Sequence, residues 1–396
     1  MKKNILAFDI RSLQTNSFFR GVGVHIFEIL KKCKEIDLSF ELILIANSHL
    51  PIPTEVINLG FPIKKVFRNY FISKKLSRWF LKFSDKILLR RELIKLGATV
   101  YFCSTFAENN YPVLLPCHQI KVITWIYDLI PFHFYETNTS FSFEKYFSHH
   151  FTEKMEEAKK SNAIIVSSEY VKNDVINTMN VEEEKLIIIP LGLRKNLVQV
   201  DITESRFFKD YPYLEDKKYI FYLGGFEKRK NVICALQAFK LIKNDIPDLS
   251  FVVGGKYNSN DKDYLSLYEF VVENNLLDSV IFVGFIDNKY LSWFYKKALC
   301  FVFVPLAEGF GLPVLEAMAF GTPVVASNVT SVPEVVEDAA LQINPYDVTE
   351  IADGIKSLLT NEKLRVSMIN KGYQQAAKFN WTNTAEKFVS VVSGLV

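Results

Sequence analysis

The sequence predicts an α/β fold of two domains, each built on a parallel sheet with crossover helices. Strand-like apolar runs alternate with helix-period segments from end to end, the pattern of repeated βαβ units. At 396 residues the chain is longer than one hydrophobic core ordinarily fills, and its periodicity dissolves between about Lys195 and Lys218, so the boundary is placed there. The stretch Phe301 to Ala326, FVFVPLAEGFGLPVLEAMAFGTPVVA, joins a buried strand, a glycine loop, a helix and the next strand, and the second domain is organised around it.

Composition removes several classes. Hydrophobic residues are 49% of the chain and charged ones 23%, a globular rather than a disordered balance. Cys33, Cys103, Cys117, Cys234 and Cys300 show neither metal nor redox spacing and read as reduced core residues of a cytosolic protein. The opening MKKNILAFDI has an apolar run too short for a signal peptide, interrupted by Asp9, and reads as a first strand. No apolar run is long enough to span a bilayer, so any membrane contact is expected to be peripheral.

The net charge of +3 hides an asymmetry: Lys and Arg outnumber Asp and Glu by 27 to 20 in residues 1–195 and are outnumbered 20 to 24 afterwards. Lys64 to Lys95 alone carries 11 basic and two acidic residues. Within it Leu76, Trp79, Phe80, Phe83 and Ile87 recur at helical spacing, with Lys74, Lys75, Arg78, Lys82 and Lys86 on other faces. Two readings stay open, a basic amphipathic helix on anionic lipid and a packed helix with a solvated cationic face. Nucleic acid is not expected as a partner, since no recognition motif accompanies the charge.

In the first domain strands are expected at Ile5–Phe8, Leu42–Ala46, Val100–Cys103, Val122–Ile126, Ala163–Ser167 and Leu186–Ile189. After the first of them, Arg20-Gly21-Val22-Gly23-Val24-His25 is a glycine loop opening a helix, suited to a nucleotide site or to close packing. The fourth delivers Tyr127, Asp128 and Pro131 to its carboxyl end, where open α/β sheets place their ligands. His133, between aromatics, is a packing residue or a further polar candidate, and His149 and His150 fall on a helical run. Ser168 is placed to cap the helix that Glu169 enters.

The second domain opens with a strand at Tyr219–Leu223, then Gly224-Gly225-Phe226-Glu227-Lys228-Arg229-Lys230-Asn231 and a helix to Lys243. A glycine turn followed by three basic residues sets cations beside the sheet edge, where they can neutralise a diphosphate. Strands follow at Phe251–Val253 and Val280–Val283, the latter leading to Gly284-Phe285-Ile286, with Phe285 either at a ligand or in the core. Asp261-Lys262-Asp263 matches a metal-binding D-x-D pattern, but it sits in a polar run before a helix and reads as cap chemistry. No His/Cys/Asp cluster has ligand spacing, so no metal is expected.

The central stretch carries the chemistry. Its strand ends at Pro305, its loop holds Glu308, Gly309 and Gly311, and its helix opens near Pro313 and ends at Gly321. A helix start presents unpaired N–H groups and partial positive charge, which suits a diphosphate. Glu308 and Glu316 flank it, and two carboxylates match hydroxyl groups rather than bare phosphate. A nucleotide-sugar offers that sequence of groups: ribose hydroxyls, diphosphate, sugar hydroxyls.

At E-G-F-G-L-P-V-L-E, G-T-P-V-V-A-S and V-P-E-V-V-E-D-A-A the chain resembles the donor site of the retaining, GT-B-fold glycosyltransferases of family 4. The resemblance implies two Rossmann-like domains whose parallel sheets face a central cleft. It implies residues 1–195 binding the acceptor, residues 196–378 binding the nucleotide-sugar, and a closing helix in 379–396, anchored at Trp381, that crosses back to the first domain. It assigns Glu308 to sugar hydroxyls and Glu316 to the ribose. Arg229 and Lys230, with the amides of Gly309, Phe310, Gly311 and Leu312, go to the diphosphate, Phe285 lies under the nucleobase, and Gly21 and Gly23 abut the phosphates. The segment at Asp128 resembles the family's H-D-L-I-P with Tyr127 in place of His, which leaves Asp128 near the sugar.

The activity implied is metal-independent transfer of a hexose from a nucleoside diphosphate sugar to a saccharide acceptor, with no cofactor. The D-L-I-P segment and the G-F-E-K-R-K-N loop look most like bacterial mannosyltransferases of surface polysaccharide assembly, so GDP-mannose and a lipid-linked acceptor are expected, at the inner face of the membrane. A GT-B phosphorylase or synthase, or a non-catalytic nucleotide-sugar-binding protein, would share the donor site.

Overall fold

The computed structural model describes residues 3–15, 18, 21–66, 78–106, 114–136, 151–193, 202–258 and 260–396, with the side chains of 78–85 and 134–136 outside that description. The chain divides into two compact units, one of Met1–Gly192 with Asn380–Val396 and one of Leu193–Phe379.

The first unit holds strands β1 (Ile5–Asp9), β2 (Glu41–Asn47), β3 (Ile63–Val66), β4 (Val100–Cys103), β5 (Lys121–Ile126), β6 (Ala163–Val166) and β7 (Leu186–Ile188). They form one sheet in the order β3-β2-β1-β4-β5-β6-β7, and every pairing is parallel. Strand β1 is buried along its whole length, as a strand covered by helices on both faces must be.

The second unit holds β8 (Lys218–Leu223), β9 (Leu249–Gly254), β10 (Val280–Gly284), β11 (Cys300–Phe303), β12 (Val324–Ser327) and β13 (Leu341–Ile343). Their order is β10-β9-β8-β11-β12-β13, again all parallel. Both sheets put the first strand of the unit in the interior and reverse direction beside it, so the carboxyl ends of β1 and β4, and of β8 and β11, flank topological switch points.

Two sequence expectations need correction. No strand is expected in the basic stretch, but Ile63–Val66 is an edge strand, paired through Leu44 with Ile63, and the helix of that stretch occupies Arg78–Leu96. Its apolar signal is short, and Lys64 and Lys65 are the kind of charged residues that blunt a sheet edge. The aperiodic stretch before β8 contains a helix, Glu204–Asp210, capped by Thr203. Its one buried residue, Phe207, packs on Phe294 at 5.2 Å, too little apolar pattern to register as a period.

Of the named apolar positions in the basic segment, Leu76, Trp79, Phe80 and Phe83 lie outside the described side chains. Leu89 and Leu93 are buried, whereas Ile87 is 51% exposed and Ile94 43%. His149 and His150 also lie outside the described residues.

The last helix, Trp381–Ser393, belongs to the first unit. Phe388 packs on Phe102 at 4.7 Å and Phe8 at 5.8 Å, and Thr384 Oγ1 donates to the carbonyl of Pro190 at 2.8 Å. Trp381 is buried against Gly192, where a Cβ would stand 2.6 Å from the Trp381 amide nitrogen. Glycine is therefore required at that approach.

Candidate active site

The carboxyl ends of β8 and β11 bring the charged residues of the second unit together. After β8, Tyr222 places its hydroxyl under the turn, donating to the Gly225 carbonyl at 2.6 Å. The basic run Lys228–Lys230 is a single 3₁₀ turn, ended by Asn231 in a left-handed conformation, φ 57°. Asn231 is buried, and its Nδ2 donates to the carbonyls of Val304 at 3.0 Å and Pro345 at 2.7 Å. One side chain thus ties the loops after β8, β11 and β13, satisfying two buried carbonyls.

That tie sets the ion pair. Lys230 Nζ stands 2.5 Å from Glu308 Oε2, and Arg229 Nη1 stands 3.7 Å from the same oxygen. Arg229 also donates to the Ala307 carbonyl at 3.4 Å, and its own carbonyl accepts the Leu306 amide at 2.8 Å. Both cations converge on Oε2, and among the described residues no donor reaches Oε1. Oε1 remains available to a ligand hydroxyl.

The loop after β11 ends at Gly311, φ 108°, a conformation that glycine reaches without strain. It caps the helix Leu312–Ala319, with Pro313 in the first turn and no side chain capping the start. The Val314 amide donates to the Gly311 carbonyl at 3.2 Å and Pro313 has no N–H, so what this end offers an anion is the partial positive charge of the helix start and the amide of Leu312. Gly309 and Phe310 lie in the loop before it and are buried, and Phe310 packs its edge on Phe379 at 5.8 Å. Leu312 is the first helical residue, half-buried.

Glu316 is one turn further in and fully buried, its Oε2 accepting from the Tyr295 hydroxyl at 3.0 Å. A carboxylate so placed is held within the unit by Tyr295, and Glu308 is the more accessible of the two acids. Phe285 follows Gly284 beyond β10 with 70% exposure, so it has no core role. Asp261 caps the helix Lys262–Glu273, accepting from the amides of Asp263 and Tyr264.

The first unit gathers its own candidates at the carboxyl edge of its sheet. Gly21 opens the helix Gly21–Cys33 and is exposed, and Gly23 is buried in the first turn. Tyr127 stacks on Trp125 at 5.4 Å and lies 5.3 Å from His25. Asp128 is half-buried and accepts the Ile130 amide at 3.1 Å, starting the helix Ile130–Glu136. His133 pairs with Asp174 at 2.7 Å.

Sequence reasoning missed three features. Asp9 at the end of β1 holds Arg11 at 2.6 Å and accepts from the Tyr101 hydroxyl at 2.5 Å; only the pairing of β1 with β4 brings Tyr101 there. Asn231 belongs to the basic loop by sequence, but nothing local shows that it ties three loops. Thr330 and Ser331, both bonded to Glu308, were passed over, although two hydroxyl residues before a Pro-opened helix are a turn signal.

Residues 204–375 match the family model of glycosyl transferases group 1. O-antigen chain mannosyltransferase RfbU of Salmonella typhimurium is 30% identical over 272 residues, 68% of this chain and 68% of that protein. The chain belongs to the group 1 glycosyltransferases. O-antigen chain mannosyltransferase B of Escherichia coli is 30% identical over 227 residues, 57% of this chain and 59% of that relative. Against it and the serotype-specific mannosyltransferases of the same organism, the matches span between about a third and three fifths of the relative's length. Sucrose-phosphate synthase from Thermosynechococcus elongatus superposes with a TM-score of 0.71 at 18% identity, covering 99% of each chain. The fold of this group 1 glycosyltransferase is α/β, of GT-B type. The family match spans β8 to β13 and so includes Arg229, Lys230, Glu308, Gly311 and Glu316.

Proposed function

We propose that the protein is a retaining hexosyltransferase that moves mannose from GDP-mannose to a lipid-linked saccharide acceptor in bacterial polysaccharide assembly. One observation carries the reading: Glu308, its carboxylate fixed through Oε2 by Lys230 at 2.5 Å, stands four residues before the first residue of a helix whose start no side chain caps. That arrangement supports a role for the free oxygen of Glu308 as acceptor for sugar hydroxyls next to a bound diphosphate. The names of the O-antigen relatives support mannose as the sugar and polysaccharide as the product.

As the glycosidic bond to the diphosphate breaks, negative charge grows on the leaving group. Arg229, Lys230 and the amides at the start of the Leu312–Ala319 helix stabilise it by geometry set before reaction. These groups take the role that a divalent cation fills in metal-dependent transferases, so transfer runs without a metal or other cofactor. Glu308 Oε1 accepts from sugar hydroxyls and orients the anomeric carbon. No enzymic nucleophile is assigned, and the acceptor attacks from the leaving-group face. Glu316 serves the ribose once its carboxylate turns from Tyr295, and Phe285 offers its exposed ring to the base; Gly21, Gly23, Tyr127 and Asp128 are the first unit's own candidates for substrate.

Among the described residues no helix is long and apolar enough to cross a membrane. The outward Ile87 and Ile94 of the basic helix support peripheral contact with anionic lipid at the cytoplasmic face.

The test is a thermal-shift series with GDP-mannose, UDP-glucose, UDP-galactose and UDP-N-acetylglucosamine, each with and without EDTA. Binding to the folded state raises the transition with ligand concentration. GDP-mannose is expected to give the largest shift, insensitive to EDTA. A preference for a UDP-sugar removes the mannose assignment, and no shift with any donor removes the nucleotide-sugar reading.

A further inference from the structure

Thr330 has a positive φ of 59°. Among the described residues five non-glycine residues do so, and three of them are asparagines, which tolerate the left-handed region. A β-branched residue does not, and strain of this kind persists where the surroundings over-determine it, commonly at functional sites.

The conformation has a visible result. It brings Thr330 Oγ1 to the Glu308 amide, whose N–H it accepts at 3.3 Å. The next residue, Ser331, is fully buried and donates its hydroxyl to the Glu308 carbonyl at 2.7 Å. Ser331 stands at the N-cap of the helix Val332–Val336, yet makes no side-chain cap bond. A serine there ordinarily bonds an orphan amide of its own helix. Here its hydroxyl reaches back to Glu308 instead.

Two locally unfavourable choices, a strained threonine and an uncapped helix, thus serve one end. They fix the peptide groups on both sides of Glu308, while Lys230 fixes its carboxylate. We infer that Thr330 is a positioning residue for the transfer reaction, which with Ser331 holds the Glu308 backbone so that Oε1 faces the sugar of the donor. The inference rests on the donor-site reading above. A small misplacement of a positioned group costs turnover far more than binding when its contact matures in the transition state.

The experiment compares the parent, T330V, T330S and T330G in steady-state release of nucleoside diphosphate from whichever of GDP-mannose, UDP-glucose, UDP-galactose or UDP-N-acetylglucosamine the parent turns over, with melting temperatures alongside. T330V keeps the branched shape without the acceptor. It is expected to lower kcat at least tenfold while the donor KM stays within threefold. T330S, which restores the hydroxyl, is expected to recover most of the rate. T330G relieves the strain, so it is expected to melt at or above the parent temperature while losing kcat as T330V does, which keeps the test valid should T330V fold poorly. Parent-like kcat in T330V or T330G overturns the inference and leaves the donor-site reading intact, as does a loss of rate that follows the loss of melting temperature across the series. A parent that turns over no donor overturns the donor-site reading, and the inference with it.

Discussion

Lys230 and Glu308 are 78 residues apart in sequence, and their side chains meet at 2.5 Å. The pair is mostly buried, with side-chain exposures of 12% and 17%, so neither charge is well screened by water. Removing the two partners has different consequences. In Lys230→Met the acid keeps Arg229 at 3.7 Å, and a stability loss of about 1.5–3 kcal/mol is expected, the range for a hydrogen bond to a charged group. Turnover is expected to fall roughly a hundredfold, as for loss of one charge-stabilising donor. Glu308→Ala is expected to abolish transfer in a folded protein. Steady-state assays with circular dichroism check both, and full activity in Glu308→Ala removes its central role.

Gly311 and Gly21 make a contrasting pair. Gly311 has φ 108°, with the nearest atom to an added Cβ at 3.6 Å. The space is adequate and the backbone is the obstacle, so Gly311→Ala is expected to destabilise by about 1–3 kcal/mol. At Gly21 nothing among the described residues lies within 4 Å of an added Cβ, and alanine is expected to leave the melting temperature unchanged or raise it slightly. A fall in donor affinity in Gly21→Ala without a fall in melting temperature would support the contact to donor phosphates. Unchanged affinity would assign Gly21 to helix packing.

Asn231→Ala removes both bonds from Nδ2 and puts a residue that disfavours φ 57° at the turn. Two buried carbonyls lose their partner, so about 2–4 kcal/mol of stability is expected to go. Urea titration of the second unit's transition checks the size. A change below about 0.5 kcal/mol would mean the three loops hold without this tie.

Burial pushes the thiols of Cys33, Cys103 and Cys300 up to about 12, from an ordinary 9.0 in the unfolded chain. Between these values the unfolded state has lost the proton and the folded state has kept it. The folded form binds more protons there, so stability is full below about pH 9 and falls as pH rises toward 12. Each such thiol steepens the fall by up to about 1.4 kcal/mol per pH unit. The urea midpoint between pH 8 and 10.5 reads this directly. Cys300→Ala is expected to flatten the slope, and an unchanged slope would remove that thiol as a contributor.

Ile87 and Ile94 are outward-facing on the cationic helix. With phosphatidylglycerol vesicles, the parent is expected to co-sediment at low salt and release as salt rises, since surface attraction is screened. The double variant Ile87→Glu, Ile94→Glu is expected to stay in the supernatant. Equal sedimentation of the two proteins would move the lipid contact elsewhere, and none by the parent would remove it.

Among the described residues most strands were legible in sequence because parallel strands buried on both faces write themselves as continuous apolar runs. An exception, Ile63–Val66, is an edge strand with two lysines, where only one neighbour dictates the pattern. The glycine-rich helix start was equally legible, since the backbone conformation at Gly311 admits few other residues. Phe285 and Glu316 show the limit. The sequence leaves Phe285 between a ligand and the core and, by resemblance, gives Glu316 to ribose hydroxyls, whereas the fold exposes the first at 70% and buries the second entirely.

The amino-acid sequence by itself determined the alternation of strands and helices, the glycine turns and the clustering of charge beside them, because these depend on residues close along the chain. Tertiary structure alone decided that Lys230 meets Glu308, that Asn231 joins three loops and that Thr330 and Ser331 grip the glutamate from behind. Those contacts span from 22 to 114 residues. They arise only when parallel pairing brings the carboxyl ends of separate strands side by side, and no local pattern encodes which ends become neighbours.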